Sequence, residues 1–588
     1  MFKLLKNFTT KEKIIVLISI VLIVIQSWLE LKLPDYMSNI TILVQTPGSE
    51  MNMILKEGLF MLLCAFFSLV FNVAKGYGAA YVGSSFEKNL RRKVFVKVES
   101  FSMEEIKKFS TSSLITRNTN DITQIKMFVT MAIQMMAKAP IMAIMAVTKI
   151  LNKQFEFSMV TLVGVALIIV LNMVIILVAI PKFKKIQSLT DNLNKVTREN
   201  LTGLKVVRAY NAEKYQLDKF NKANNELTDT HLFVQKIMAL IGPFMSSIMQ
   251  FLSLGIYFIG AILISQASIM DRLNIFSDMV VFSSYAVQVI LSFMFLVMIF
   301  IIYPRAAVSA NRINEVLDTE TKIKDGKVSK DNGLYGEVEF KNVSFKYPDA
   351  EEYVLKDISF KANKGETIAI IGSTGAGKST LINLIPRLYD VTDGSVLVDG
   401  IDVRDMKLNY LYNKIGYISQ KAILFKGSIK SNVTFGKVFN KKVKKDKVET
   451  AVKIAQANDF VLKMEKKYDS DVAQSGNNLS GGQKQRISIA RAIARDPEII
   501  IFDDSFSALD YKTDYNLRKA LNKYTKDSTK FIVAQRIGTI KDADKIIVLD
   551  DGNCVGIGTH KELLKSCKVY KEIAESQLSK EELAWEVK

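Results

Sequence analysis

Long apolar stretches alternate with polar, cation-rich segments in the first half of the chain, up to about Tyr303. Each stretch is long enough for an α-helix to cross about 30 Å of hydrocarbon. The first one follows four lysines, as in a signal peptide, but it ends at Pro34 without a small-residue cleavage site, so a retained span is predicted. The six predicted spans are about Ile14–Leu33, Leu59–Val82, Phe128–Ile150, Met159–Ile180, Ile237–Ile264 and Met279–Tyr303.

Lysine and arginine are concentrated in the segments that follow the second and fourth spans. Cytoplasmic loops of membrane proteins carry an excess of these cations. An even number of spans also returns the chain to the side on which it started. We therefore predict a multi-pass protein of the cell membrane with its N- and C-termini in the cytoplasm.

Both cation-rich segments contain amphipathic stretches with a short break, at Phe101–Ile106 and at Tyr210–Glu213. This pattern predicts, in each segment, two helices that extend out of the membrane and join at a tip that can touch the second half of the chain. A pair of ordinary solvated loops is the alternative.

Polar residues within the spans are candidates to line a substrate path, because burying them in lipid is costly. These candidates are Gln26, Glu30, Lys138 and Gln288. For Glu30 and Lys138, the alternative is a side chain that snorkels to the membrane interface.

The second half of the chain has the pattern of a soluble α/β domain. The stretch Glu337–Tyr347 alternates as a strand does, and Glu366–Ile371 is an apolar run that suits a buried parallel strand. The stretch Leu381–Ile385 resembles the start of a helix. Between these last two lies a glycine-rich loop, here called the phosphate loop, that reads GSTGAGKST over Gly372–Thr380.

A strand, a glycine loop and a helix N-terminus together form an anion cradle, because backbone N–H groups converge on the ligand. At this spacing, Lys378 is expected to reach the β- and γ-phosphates of ATP, and Ser379 to hold Mg²⁺. The predicted ATP-binding residues of the loop are Gly372, Ser373, Thr374, Gly375, Ala376, Gly377, Lys378, Ser379 and Thr380.

Further candidate residues stand at the ends of other predicted strands. Tyr347 is positioned to stack on a base, and Gln420 can contact Mg²⁺ or an attacking water. Asp503 follows the buried run Ile499–Phe502 and suits a Mg²⁺ contact, while Gln535 follows another strand. A second anion site is predicted at a helix start in the segment Leu479–Gln483, through Ser480, Gly481, Gly482 and Gln483.

Composition narrows the class of protein further. The chain has 588 residues, 49% of them hydrophobic, and a formal charge of +20, so at least two domains are expected. The positive charge follows the predicted spans, and no DNA or RNA recognition motif is present, so nucleic acid is not an expected partner. Three scattered cysteines and two histidines predict neither a disulfide framework nor a metal site built from these residues.

Taken in order and spacing, these motifs resemble the ATP-binding cassette (ABC) ATPases, and the six preceding spans resemble an ABC exporter half-transporter. The resemblance implies an all-α transmembrane domain over residues 1–320, an α/β P-loop ATP-binding domain over 338–572 and a tail over 573–588. It also implies a dimer in which each ATP, with Mg²⁺, lies between the phosphate loop of one subunit and the signature serine of the other.

Two residues depart from the family pattern. Asp504 stands where the family has a glutamate that polarises the attacking water, and Gln535 stands where it has a histidine. The carboxylate of Asp504 is shorter by one methylene, and Gln535 cannot carry a proton. These residues, with Gln420, are the predicted catalytic group of a site that hydrolyses ATP slowly, because lost general-base function costs about 10²–10⁴-fold in rate.

The segment Leu479–Gln483, which matches the signature segment of the family with Ser480 as its serine, is nevertheless intact, so it can complete a competent site on a partner. The chain thus resembles the degenerate-site subunit of bacterial heterodimeric multidrug exporters. We predict ATP-driven efflux of a small amphipathic substrate across the lipid bilayer. The alternatives are a homodimeric exporter of lipid or peptide with slow hydrolysis and an ATP-gated channel or regulator.

Overall fold

The computed structural model describes residues 1–46, 48–151, 155–330, 332–348, 350–436 and 445–578. The chain forms two compact units. The first, here called the membrane unit, comprises Met1–Glu99 and Thr111–Thr319. The second, the soluble unit, comprises Glu320–Lys588 together with the short segment Ser100–Ser110. The predicted domain boundaries stay predictions, and residues 579–588 of the predicted tail lie outside the described residues.

The membrane unit consists of long helices. Five helices among the described residues are long and apolar enough to cross a membrane, and the apolar stretch Phe155–Leu171 begins a further long helix. All six predicted spans fall within helical segments. The α-helices of this unit are Phe2–Leu5, Thr10–Gln45, Met51–Glu99, Thr111–Thr116, Ile122–Met131, Lys138–Leu151, Phe155–Thr202, Leu204–Ala209, Glu213–Gln266 and Ile269–Asp318.

The third predicted span and the helical segment before it are less regular than the sequence indicates. Wider π-helical turns occupy Arg117–Asp121 and Ala132–Met136 on either side of the helix Ile122–Met131. Such turns add a residue to the helix without ending it, so hydropathy does not reveal them.

Both predicted breaks occur. The long helix Met51–Glu99 ends before the helix Met103–Phe109, here called the tip helix, and the chain turns again between Ala209 and Glu213. The first break therefore contains a short helix. Ser102 caps the tip helix, because its side chain accepts from the Glu104 backbone N–H while Glu105 accepts from the Ser102 backbone N–H at 2.7 Å.

In the described part of the soluble unit, the strands form one ten-stranded sheet and one small sheet. The edge-to-edge order of the ten-stranded sheet is Ile401–Asp402, Asp393–Val398, Val338–Phe345, Leu355–Ala362, Asn553–Gly558, Lys545–Asp550, Thr367–Gly372, Thr529–Val533, Ile499–Asp503 and Ile415–Ile418. The last five strands in this order run parallel to one another. The first four pair in antiparallel fashion. A separate two-stranded sheet pairs Gly427–Ser428 with Asp471–Val472.

Two hydrophobic cores cover the two faces of the main sheet. Along the strand Thr367–Gly372, Ala369 and Ile371 enter one core while Ile368 and Ile370 enter the other, as the two-residue period of a strand requires. The helices of this unit are Met103–Phe109, Lys378–Leu384, Leu408–Lys414, Ile429–Val433, Lys445–Ile454, Asn458–Val461, Gly481–Ile493, Tyr511–Tyr524, Ile537–Ile540, His560–Ser566 and Lys568–Gln577.

This architecture confirms the predicted fold class, a helical transmembrane domain followed by an α/β P-loop nucleotide-binding domain. The predicted strands lie within a few residues of the observed ones. The helix after the phosphate loop begins three residues earlier than predicted, at Lys378, because the loop itself forms the first turn.

Candidate nucleotide site

The phosphate loop joins the strand Thr367–Gly372 to the helix Lys378–Leu384. Gly377 precedes the helix with φ +93°, a conformation that side-chain-bearing residues avoid. At Gly372, an added Cβ would clash with the Leu549 carbonyl oxygen of the neighbouring strand. The loop therefore needs Gly377 for its backbone conformation and Gly372 for the close approach of that strand.

Lys378 folds back over the loop. Its Nζ donates to the carbonyl oxygens of Gly372 at 2.8 Å and Ser373 at 2.7 Å. Burial lowers the pKa of the Lys378 ammonium, and the carboxylates of Asp504 and Asp503 act in the opposite direction. The lysine is thus held close to the loop, with two acids nearby.

The side chain of Ser379 meets that of Asp503. The Ser379 hydroxyl donates to Asp503 Oδ1 at 2.7 Å, and Asp503 is only 7% exposed at the end of its strand. Burial raises the pKa of the Asp503 carboxyl, against the hydrogen bond from Ser379, which lowers it. A hydroxyl and a carboxylate in contact are oxygen ligands of the kind that Mg²⁺ prefers, so these residues fit the metal.

Asp504 is the next residue, with a left-handed backbone (φ +46°) and 8% exposure. Both predicted partners reach it. Gln535 Nε2 donates to Asp504 Oδ2 at 2.8 Å, and Gln420 Nε2 donates to the same oxygen at 3.3 Å. Two side-chain amides therefore hold one oxygen of the Asp504 carboxylate.

Tyr347 lies beside the loop. Its hydroxyl is 3.0 Å from the Thr380 hydroxyl, and Lys107 Nζ of the tip helix lies 4.4 Å from the centre of its ring. Lys107 also lies 5.4 Å from the Tyr389 ring, and a hydrogen bond with Tyr389 raises the pKa of its ammonium. A second contact joins the tip helix to the rest of the soluble unit, because the Lys322 backbone N–H donates to Glu105 at 3.2 Å.

The signature segment starts the helix Gly481–Ile493. Ser480 caps this helix: its backbone N–H donates to Gln483 Oε1 at 2.9 Å, and its hydroxyl accepts from the Gln483 backbone N–H at 3.3 Å. Gly481 is exposed, and an added Cβ there would meet no atom within 4 Å. The capped, open N-terminus suits an anion approaching from outside the chain.

The structure thus brings one group of predicted residues together: Lys378, Ser379, Asp503, Asp504, Gln420 and Gln535. Ser373, Thr374 and Gly375 are exposed on the same loop, while Ala376 is buried. The signature residues start a different helix. Sequence reasoning missed Lys107 and Tyr389, because no local pattern joins a residue near 100 to an aromatic pair beyond 340.

A phosphate loop on a parallel sheet, in a chain with long apolar helices, defines a membrane-bound P-loop ATPase. Two family models match the chain, the ABC transporter transmembrane region over residues 16–293 and the ABC transporter over residues 355–507. The chain belongs to the ABC transporter family, as an exporter half-transporter with one transmembrane and one ATP-binding domain.

Relatives agree with this assignment. An uncharacterised ABC transporter ATP-binding protein of Mycobacterium tuberculosis (strain ATCC 25618 / H37Rv) is 38% identical over 506 residues, 85% of this chain and 86% of the relative. An ATP-dependent lipid A-core flippase of Pseudoalteromonas translucida (strain TAC 125) is 31% identical over 517 residues, 87% of each chain. The structure of a bacterial Atm1-family ABC exporter with ATP bound shares the fold, with a TM-score of 0.79 and 23% identity over 97% of this chain and 100% of that one.

Proposed function

We propose that this chain is the degenerate-site half of a heterodimeric exporter that moves small amphipathic or drug-like substrates across the cell membrane, with both termini in the cytoplasm. ATP-driven transport follows from the family. The asymmetry of the two ATP sites is the finer proposal, and one observation carries it: the Asp504 carboxylate, short and 8% exposed, accepts hydrogen bonds from Gln420 and Gln535.

The binding half of the site supports retention of ATP. The phosphate loop keeps its glycines, and Lys378 and Ser379 stand where the phosphates and Mg²⁺ would be held. Mg²⁺, when bound by Ser379, Asp503 and Gln420, neutralises phosphate charge. Tyr347 offers its ring to the base, and the phosphate loop residues from Gly372 to Thr380 bind the phosphates.

The hydrolytic half supports slow turnover. A general base must reach the attacking water, and a misplacement of about 1 Å can cost about 10²-fold. Asp504 is shorter than glutamate, and one of its oxygens already accepts from two amides. Gln535 can donate a hydrogen bond to phosphate but cannot carry a positive charge there.

The signature segment supports a partner with a competent site. Ser480, Gly481, Gly482 and Gln483 form a capped helix start that is open to solvent. In a homodimer this segment would face only slow sites. In a heterodimer it completes a site whose partner subunit brings the glutamate and the histidine.

The experiment is steady-state ATPase of the assembled transporter in lipid nanodiscs. Asp504→Ala should change turnover little, whereas neutralising the partner's glutamate should nearly abolish it. If Asp504→Ala nearly abolishes turnover and the partner change does not, the assignment of the two sites is wrong.

A homodimeric lipid exporter is the second candidate, favoured by the similarity to a lipid A-core flippase. It predicts vigorous, substrate-stimulated ATPase from this chain purified without a second half-transporter.

A further inference from the structure

A network of hydrogen-bonded polar side chains joins three helices of the membrane unit. At its centre, Glu30 Oε1 accepts from Gln26 Nε2 at 2.8 Å and from Lys138 Nζ at 2.9 Å. Lys138 also lies 2.9 Å from the other oxygen of Glu30. Gln26 and Glu30 lie in the first predicted span and Lys138 lies in the third, so the ion pair of Glu30 with Lys138 joins these two spans.

Lys75 of the second span is the outermost member of this network. It is 4% exposed, and its Nζ donates to Gln26 Oε1 at 3.1 Å. Among the described residues, Lys75 forms no ion pair with a carboxylate. A buried ammonium with a neutral partner is costly, and a nearby anion offsets that cost.

The cluster therefore carries two lysine cations against one glutamate, and Glu30 is already shared by Lys138 and Gln26. Among the described residues that line the adjacent cavity, Glu30 is the one carboxylate, so an additional cation would find no unpaired acid there. An additional anion would find Lys138, whose side chain is 22% exposed. The charge balance selects an anionic ligand.

Beside this cluster lies a cavity of about 340 Å³. Glu30 and Lys138 line it at one place, and Leu33, Met37, Met61 and Met142 provide apolar wall. Gln288 also lines it, and its buried Oε1 has no hydrogen-bond partner among the described residues. Flexible methionines adapt to varied apolar groups, while Lys138 and Gln288 offer one cationic donor and one free acceptor.

We propose that this cavity binds an amphiphile with an anionic head group. An anionic oxygen of the head group accepts from Lys138, a hydroxyl of the head group, such as the P–OH of a phosphate monoester, donates to Gln288 Oε1, and the apolar part packs on Leu33 and the three methionines. Lys75 acts as a positioning residue, since it holds the Gln26 amide that donates to Glu30 and does not itself line the cavity. The inference rests on the proposed export function and narrows its substrate class to acidic amphiphiles.

The test is equilibrium binding of ³²P-labelled dodecyl phosphate to the full-length transporter in phosphatidylcholine nanodiscs, with empty nanodiscs as background. Lys138→Gln should weaken binding about tenfold or more, because a charge-assisted hydrogen bond is lost. Lys138→Arg should restore most of it. Glu30→Gln should tighten binding, since it removes the competing negative charge, and this opposite sign separates the proposal from simple misfolding.

Lys149→Gln is the matched control. Lys149 is a lysine of the same span that pairs with Asp35 at 2.7 Å and does not line the cavity. Its removal should leave binding within about twofold, as expected for a distant, independent site. Equal weakening by Lys138→Gln and Lys149→Gln, or weaker binding after Glu30→Gln, would overturn the proposal.

Competitors define the ligand class. Unlabelled dodecyl phosphate should displace the probe, while dodecanol and inorganic phosphate at the same concentration should not. Displacement by dodecanol would show an apolar site, and displacement by inorganic phosphate a plain anion site; either result overturns the proposal. ATPase measured on the same nanodiscs without probe tests the export function separately, so the two failures are distinguishable.

Discussion

The two sides of the nucleotide site differ in how closely they follow the chemistry of the family. On one side, the phosphate loop keeps its glycines, Lys378 and Ser379, with Gly377 in the left-handed conformation that the loop requires. On the other side, Asp504 and Gln535, which we propose as the weakened hydrolytic pair, are joined to each other at 2.8 Å. Binding ATP and cleaving it depend on different residues, so a chain can keep the first and reduce the second.

Placing glutamate at position 504 and histidine at position 535 should produce the largest effect, an increase in ATP turnover. In a transporter whose partner glutamate is neutralised, so that turnover comes from this chain's own site, the double variant Asp504→Glu, Gln535→His should raise ATP turnover by about 10²-fold or more, because it lengthens the base and frees it from the Gln535 amide. ATP affinity should stay within a few-fold, since the phosphate loop is untouched. Steady-state ATPase and equilibrium ATP binding measure the two quantities.

The control for this variant is Asp527→Glu, the same chemical change at a residue outside the site, where the side chain is 83% exposed. It should leave turnover unchanged. Unchanged turnover in the double variant itself would mean that Asp504 and Gln535 do not limit hydrolysis.

A substitution in the phosphate loop should produce the next largest effect, a loss of ATP affinity. Gly377→Ala places a side chain at φ +93°, and its Cβ would lie 2.9 Å from the Val354 carbonyl oxygen. Left-handed strain of this kind costs about 1–3 kcal/mol, so ATP affinity should fall about tenfold or more.

Gly481→Ala is the comparison for that measurement. An added Cβ there meets no atom within 4 Å, and Gly481 starts a different helix. ATP affinity of the chain's own phosphate loop should therefore be retained. Equal loss of affinity in both variants would contradict the separation of the two anion sites.

The smallest effect concerns the tip helix. Lys107→Met removes the ammonium over the Tyr347 ring and its hydrogen bond with Tyr389, together about 1 kcal/mol, so the amides of Met103–Phe109 should exchange several-fold faster. Lys108→Met is the matched control, because the Lys108 ammonium lies over Phe109 of its own helix. Identical exchange in the two variants would show that Lys107 does not hold this helix in place.

Local sequence predicts well what local chemistry decides. The phosphate loop, its strand and the capped helix after Ser480 follow from residues within one short window. The contact of Lys107 with Tyr347 does not, because 240 residues of chain separate them and only tertiary packing joins them. The sequence alone identifies Gln26, Glu30 and Lys138 as polar residues that are costly to bury in lipid. It does not show that Lys75 contacts Gln26, because that contact is made only when three helices pack together.

The departures at Asp504 and Gln535 were visible as substitutions, whereas their mutual hydrogen bond required the structure. The strands Ile499–Asp503 and Thr529–Val533 are parallel neighbours, so their carboxyl ends lie side by side. This arrangement places Asp504 beside Gln535. Register between strands is a long-range property, so residue types alone do not give the distance between these side chains.

If this chain's own site holds its nucleotide without rapid cleavage, that nucleotide should remain ATP while the transporter turns over. Photolabelling of the assembled transporter with α-³²P 8-azido-ATP during steady turnover, followed by identification of the nucleotide attached to this chain, measures this. We expect mainly ATP on this chain, while the transporter as a whole releases ADP. Mainly ADP on this chain would show that its own site cleaves ATP during turnover.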